Sequence, residues 1–174
     1  MLGHWRDREE DSSFILDHRL LQSLTNFDLS GIQRLAITKY RPPTKNEIDK
    51  SAPSYILLRM EDLRVLTLTQ CNNQPFIVAL DPDQNLSERV LCPKLEELVL
   101  YVDELDLFDI KDLMSMVKAR ASGGMKLSSV TIVGLGKFIR GEEVFKLEEY
   151  ITRVDYRVGA KPLRWDEIPE GGDD

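Results

Sequence analysis

A spacing of 31 or 32 residues between similar apolar clusters constrains the fold of this chain more than any other feature. Each cluster has apolar residues at offsets zero, three and five, usually with a further anchor at offset eight. Repetition at such a period is typical of chains that fold as a stack of similar coils. The four clusters are Ile32, Leu35, Ile37, Tyr40; Leu63, Leu66, Leu68, Cys71; Leu95, Leu98, Leu100; and Leu127, Val130, Ile132, Leu135.

The second cluster, LRVLTLTQCN at 63–72, matches the leucine-rich repeat L-x-x-L-x-L-x-x-N/C most closely. Offsets three and five are two residues apart, so both side chains point to the same face of a strand. We interpret Cys71 as the small residue that turns the chain out of the strand, a place that Asp103 takes in the third cluster. The sequence therefore predicts an α/β leucine-rich-repeat solenoid segment, with four or five short parallel strands inside and helices outside.

The segments between the clusters contain helix signals. Residues 109–120 have apolar side chains on one helical stripe, and Gly123 and Gly124 follow at the end. The other predicted elements are a helix at 14–24, a shorter helix at 53–60 that begins at a proline, one or two turns at 76–80, an irregular loop at 81–85, a helix at 142–150 and an edge strand at 152–158. The expected organisation is a charged N-terminal segment (1–12), a repeat-like domain (13–160) and an extended acidic tail (161–174).

Composition excludes several classes of protein. The chain has 23 Lys and Arg against 30 Asp and Glu, a net charge of −7, and no basic run, which argues against a nucleic-acid binder. No stretch approaches the roughly 18 apolar residues of a membrane span, and the charged N-terminus is unlike a signal peptide. Two cysteines are too few for a disulfide framework or a cysteine-built zinc site. We expect an intracellular protein, cytoplasmic or nuclear, with no cofactor, no metal, and neither nucleic acid nor a membrane as partner.

Two segments carry a resemblance to a known family. VLCPKLEELVLY at 90–101 and RASGGMKLSSVTIV at 120–133 resemble the C-terminal leucine-rich-repeat region of fungal F-box proteins, particularly those of mushroom-forming fungi. The resemblance covers about residues 27 to 168. It implies the substrate-recognition arm of a Skp–cullin–F-box ubiquitin ligase. Residues 1–26 lack the Leu-Pro pair and the length of an F-box, so ubiquitin-ligase components are expected partners only if an F-box is supplied elsewhere.

The concave face of a solenoid is its usual binding surface. The residues between the core anchors predict three columns on that face: Arg34, Val65, Glu97, Ser129; Ala36, Thr67, Val99, Thr131; and Thr38, Thr69, Tyr101, Val133. Aromatic and arginine side chains tend to dominate such surfaces. The predicted partner-binding residues are Arg34, Arg64, Thr67, Thr69, Glu97, Val99, Tyr101 and Thr131.

The middle column is uncharged and mostly β-branched. A sheet covered on both sides is apolar on both, so we hypothesise that a partner, or the tail through Trp165, partly covers this face. Ordinary β-propensity explains the same residues and stays an open alternative.

Patterns that would indicate catalysis are weak. The Gly134-x-Gly136 pair has Ile139 in place of the third glycine of a dinucleotide loop, which favours a plain turn. The acidic stretch at 103–109 lacks the order of a calcium loop, and Asp106 or Asp109 is expected to cap the following helix. Neither histidine has a second ligand at metal spacing.

The sequence thus predicts a non-enzymatic protein-recognition module resembling the substrate-binding repeats of an F-box ubiquitin-ligase subunit. The alternative is a truncated structural or regulatory fragment that self-associates, or pairs with a full-length relative, through an open N-terminal end. The protein target is not identified by the sequence.

Overall fold

A computed structural model describes residues 13–17, 28–38, 51–69, 71–84, 89–102, 109–134 and 144–158 of the 174-residue chain. The elements follow one another as strands separated by helices, which makes the chain an α/β protein. They are β1 (Ser13–Asp17), β2 (Arg34–Thr38), α1 (Ser51–Leu57), β3 (Val65–Thr69), α2 (Gln74–Leu80), β4 (Glu97–Val102), α3 (Ile110–Ser122), β5 (Ser129–Gly134), a 3-10 helix (Lys146–Glu149) and β6 (Arg153–Val158).

The six strands form one sheet, in the order β1-β2-β3-β4-β5-β6, and every neighbouring pair is parallel. Strand order therefore equals chain order, and each connection carries the chain to the next strand. The register places equivalent cluster residues side by side, so Leu35 pairs with Leu66, Leu66 with Leu98, and Leu98 with Val130.

One face of the sheet forms the core with the helices. The offset-three and offset-five residues of the four clusters are at most 1% exposed. They form one hydrophobic core together with buried residues of α1, α2 and α3. Burying a leucine or isoleucine side chain contributes about 1.5–3 kcal/mol, so this row of aliphatic contacts is the main stabilising feature of the sheet.

Most predicted elements are confirmed. The four clusters form β2 to β5, and the predicted edge strand at 152–158 is β6. Asp109 caps α3 by accepting a hydrogen bond from the Lys111 N–H, as expected. Gly124, with φ of 77°, ends α3, and the N–H groups of Gly124 and Met125 donate to the carbonyls of Ala121 and Arg120.

Three expectations needed correction. The helix predicted at 14–24 is wrong for its first residues, because Ser13–Asp17 is a strand paired with β2; residues 18–24 lie outside the described part. The strand count is six rather than four or five. The helix predicted at 142–150 is, in its described part, only a short helical turn that ends in the 3-10 helix Lys146–Glu149.

The other elements differ mainly at their ends. The helix predicted at 53–60 is observed at Ser51–Leu57, and the one or two turns predicted at 76–80 extend to Gln74–Leu80. The segments 1–12 and 161–174, including Trp165, lie outside the described residues.

Candidate functional site

The sheet face opposite the helices carries the residues that the sequence predicts for partner binding. We use the name open face for the first two of the predicted columns, taken together and extended to β6. Strand register gives these columns as Arg34, Val65, Glu97, Ser129, Arg153 and Ala36, Thr67, Val99, Thr131, Asp155.

Every side chain of the open face is half-buried or exposed. The contrast with the opposite face is sharp, since Leu66 and Leu98 in the same strands are fully buried. Alternating side chains therefore separate a closed face from an accessible one. Arg34, Thr67, Glu97, Val99 and Thr131 all lie on the accessible face, where they form neighbouring positions on four adjacent strands.

The third predicted column differs from the first two. Thr69, Tyr101 and Val133 are only 8%, 9% and 5% exposed, although they lie on the same side of the sheet. Tyr101 also takes part in the structure through its backbone, because its carbonyl accepts a hydrogen bond of 3.1 Å from Asn73 Nδ2. Thr69 and Tyr101 thus present little surface to a partner in this conformation.

Arg64 lies outside the three columns. It precedes β3, and its guanidinium pairs with Glu96 at 3.1 Å, with about half of each side chain exposed. Lys94 and Asp62 form a similar pair at 2.5 Å. Each pair joins residues 32 positions apart. Exposed pairs of this kind contribute about 0–1 kcal/mol each, so they mark the alignment of successive units more than they stabilise it.

The last strand extends the open face with charged side chains. Arg157 donates from Nε and Nη2 to Asp155 Oδ2, at 3.1 and 2.7 Å. The hydrogen bond to Asp155 is the main cause that raises the pKa of Arg157, with a smaller contribution from the nearby Tyr101. Arg153 is exposed beside Ser129.

A buried arginine, which the sequence reasoning missed, positions the turn that leads into β4. Arg120 of α3 is fully buried and donates to the carbonyls of Leu91 and Cys92, at 3.0 and 2.7 Å. Burial lowers its pKa. Cys92, whose carbonyl accepts one of these bonds, has a positive φ of 47°, in the left-handed region that is uncommon for residues other than glycine. The signal in the sequence was an arginine three positions after Val117, on the apolar stripe of the helix.

A second group of buried polar side chains lies at the two ends of α2. Cys71 Sγ contacts the carbonyls of Ile37 and Thr69, at 3.2 and 3.1 Å, in agreement with its predicted role in turning the chain. Gln74 contacts Asp112 of α3. Asp81 accepts from the Asp83 N–H at 2.9 Å and from Ser115 Oγ at 3.1 Å. These contacts connect α2 with α3 and the sheet, and their role is structural.

The chemistry available on the open face is hydrogen bonding, ion pairing and apolar contact. Within the described ranges, no three His, Cys, Asp or Glu side chains come together to hold a metal ion. None of the helices described has both the length and the apolar character to cross a bilayer.

Comparisons with protein-family models, with curated proteins and with solved structures found no match.

Proposed function

We propose that the chain is a non-enzymatic protein-recognition module, built as a leucine-rich-repeat solenoid segment, and that it binds a partner protein through the open face. The carrying observation is the continuous accessible face, in which predicted contact residues of four strands stand side by side while the other face is closed by helices. Extended surfaces made of repeated units commonly bind other proteins.

Repetition of the backbone hydrogen bonds supports the solenoid. The N–H groups of Ile32, Leu63 and Leu95 each donate to a carbonyl three residues earlier, at 3.2, 3.3 and 3.1 Å. A second feature recurs at the residue before the strand. The carbonyl of this residue accepts hydrogen bonds from two N–H groups of the next unit. This applies to the carbonyls of Gln33, Arg64 and Glu96. Successive units are thus built alike in their backbone as well as in their side chains.

The open face offers the mixture of contacts that protein interfaces use. Ala36, Thr67, Val99 and Thr131 form an uncharged row across four strands. Arg34, Glu97 and Arg153 lie in the column on one side of it, and Asp155 continues the row at β6. A flat surface that combines a less polar row with neighbouring charged side chains suits a protein segment better than a small molecule. The resemblance to fungal F-box proteins supports a more specific proposal, in which the partner is a substrate of a ubiquitin ligase and the F-box is supplied elsewhere.

Site-specific photocrosslinking in cell extract tests the proposal. A photoreactive amino acid replaces Thr67 on the open face, and a matched control replaces Lys118, which is exposed on α3. We expect Thr67 to crosslink a defined protein that Lys118 does not, and Val99→Lys to abolish that crosslink. Identical crosslinked proteins at both positions, or no effect of Val99→Lys, would refute recognition through the open face. Whether the Skp adaptor co-purifies with the chain from native lysate decides the ubiquitin-ligase part of the proposal separately.

A further inference from the structure

We propose that the partner segment bound by the open face is an amphipathic α-helix that crosses the strands and carries one basic and one acidic side chain seven residues apart. The basic side chain faces Glu97 and the acidic side chain faces Arg153. This inference rests on the proposed function, since it concerns the same surface, and it goes further by giving the chemistry of the partner.

Two of the four charged side chains of the open face are available to a partner. Asp155 accepts two hydrogen bonds from Arg157, and Arg34 also takes part in an interaction. Glu97 and Arg153 are exposed, and within the described part of the chain neither side chain forms a hydrogen bond or an ion pair. These two charges therefore keep their full capacity to pair with an incoming group.

The strand register holds these two charges apart. Glu97 pairs with Ser129 and Ser129 pairs with Arg153, so an uncharged side chain lies between the two charges. Opposite charges at adjacent positions of neighbouring units do form a pair, as Arg64 and Glu96 show. Because neighbouring strands lie about 4.8 Å apart, Glu97 and Arg153 are separated by about 10 Å.

The surrounding side chains allow a helix to approach the sheet closely. The other open-face positions of β3 to β5 are all half-buried and uncharged, and none of their side chains is longer than valine. They are Val65, Thr67, Val99, Ser129 and Thr131. Together they form a low strip beside Glu97 on which the apolar side of a helix can pack.

The spacing of the two charges favours a helix over an extended segment. Residues seven positions apart on an α-helix lie on the same side and about 10.5 Å apart, close to the separation of Glu97 and Arg153. In a β-strand, side chains on one side recur about every 6.6–6.8 Å, so neither one step nor two steps matches.

A polyproline-type segment is the remaining alternative. Three of its residues span about 9.3 Å, which matches the charges, but its side chains then lie over every second strand only. A helix also places a side chain three or four residues along, about 5 Å away, over the strand between the charges. The helix therefore contacts Ser129 and Thr131 as well.

Peptide selection with charge-reversed variants tests the inference. A display library of random 18-residue peptides is selected against the full natural chain, Glu97→Lys and Arg153→Glu. Lys118→Glu is the matched control, because Lys118 is exposed on α3 and its reversal changes the net charge as Arg153→Glu does. We expect the natural chain and the control to select opposite charges seven positions apart. Glu97→Lys should select two acidic residues at that spacing, and Arg153→Glu two basic residues.

Affinity measurements test the contact to Glu97 separately. Fluorescence anisotropy gives the dissociation constant of the strongest peptide selected by the natural chain. Glu97→Lys should weaken its binding about tenfold, because like charges then face each other. Replacing the basic residue of the peptide by glutamate should restore the affinity for Glu97→Lys. Damage to the fold of the variant cannot produce that restoration.

Several results would overturn the inference. They are selected peptides without paired charges at this spacing, peptides with prolines and charges three residues apart, and the same charges selected by every variant. If Val99→Lys abolishes the binding of such peptides, recognition through the open face still stands, so the two failures are distinguishable. A selection that yields no peptide also overturns the inference, whereas crosslinking at Thr67 decides the proposed function independently.

Discussion

Replacing Arg120 tests whether a buried guanidinium stabilises the packing of α3 against the turn that precedes β4. The side chain is fully buried and donates to two backbone carbonyls, those of Leu91 and Cys92. Arginine keeps its charge in proteins, even where burial lowers its pKa as here. Among the described residues, the hydrogen-bond acceptors of this guanidinium are backbone carbonyls, and none of them is a carboxylate.

Opposing contributions determine the free energy of unfolding of Arg120→Met. Removing the guanidinium takes away the donor to the buried Leu91 carbonyl, at about 1–3 kcal/mol, whereas the Cys92 carbonyl loses one hydrogen bond and keeps the N–H of Leu95. It also removes the desolvation cost of the charge, which is several kcal/mol in the opposite direction. We expect the lost hydrogen bonds to dominate, with a net loss of about 2 kcal/mol, because both are charge-assisted and the bond to the Cys92 carbonyl is short, at 2.7 Å. Arg120→Ala adds a cavity and should cost about 4 kcal/mol.

Urea unfolding followed by circular dichroism measures both variants, with the slope of the transition as a check that the unfolding reaction is unchanged. Lys118→Met is the matched control, because Lys118 is exposed on the same helix and its replacement should change stability by less than about 0.5 kcal/mol. If Arg120→Met is as stable as the natural chain or more stable, the cost of burying the charge equals or exceeds the value of its hydrogen bonds, and Arg120 does not stabilise the fold.

Three further predictions concern the core, a helix end and alkaline pH. Leu98→Ala should lower the free energy of unfolding by about 3 kcal/mol and Val99→Ala by less than about 1 kcal/mol, because they point to opposite faces; equal losses in urea unfolding would contradict the assigned faces. Gly124→Ala should cost about 1 kcal/mol in the same assay, since φ of 77° strains any residue with a Cβ, and an unchanged midpoint would contradict this. Burial raises the pKa of the Cys92 thiol to about 12 from an ordinary 9.0, so the folded chain holds this proton more tightly than the unfolded chain. The free energy of unfolding therefore keeps its full value below pH 9 and falls by about 1.4 kcal/mol per pH unit as the pH rises toward 12. Cys92→Ala should show a shallower decline, and parallel profiles of unfolding free energy against pH for the two proteins would contradict the assignment.

The parts of the fold that the sequence predicted are those that burial specifies locally. Leu66 and Leu68 are two residues apart in a strand and recur in neighbouring units, so one pattern determines both the strand and its register. The columns of the open face followed from the same alternation. Exposure at the strand ends did not follow, because the burial of Thr69 and Tyr101 depends on tertiary packing, which spacing along the sequence does not contain.

The first strand shows where periodicity misleads. Leu16, Leu20, Leu21 and Leu24 have helical spacing, yet Ser13–Asp17 pairs with β2. Only Leu16 of that set lies in the strand, so most of the helical pattern came from residues beyond its end. The pairing of Phe14 with Leu35 is also separated by 21 positions instead of 31 or 32, which hides it from a search at the longer period.

Arg120 shows the opposite problem, since its signal was present but had two meanings. A long cationic side chain on an apolar stripe extends to solvent in most helices, and its stem then covers the apolar surface. Here α3 ends two residues later, and the turn at Leu91 and Cys92 presents two carbonyls at the depth of the guanidinium. The choice between an exposed and a buried arginine therefore depends on backbone acceptors supplied 28 and 29 residues away. Hydrophobic spacing identifies the helix stripe on which such a residue stands, but only the three-dimensional arrangement of the neighbouring unit determines what it binds.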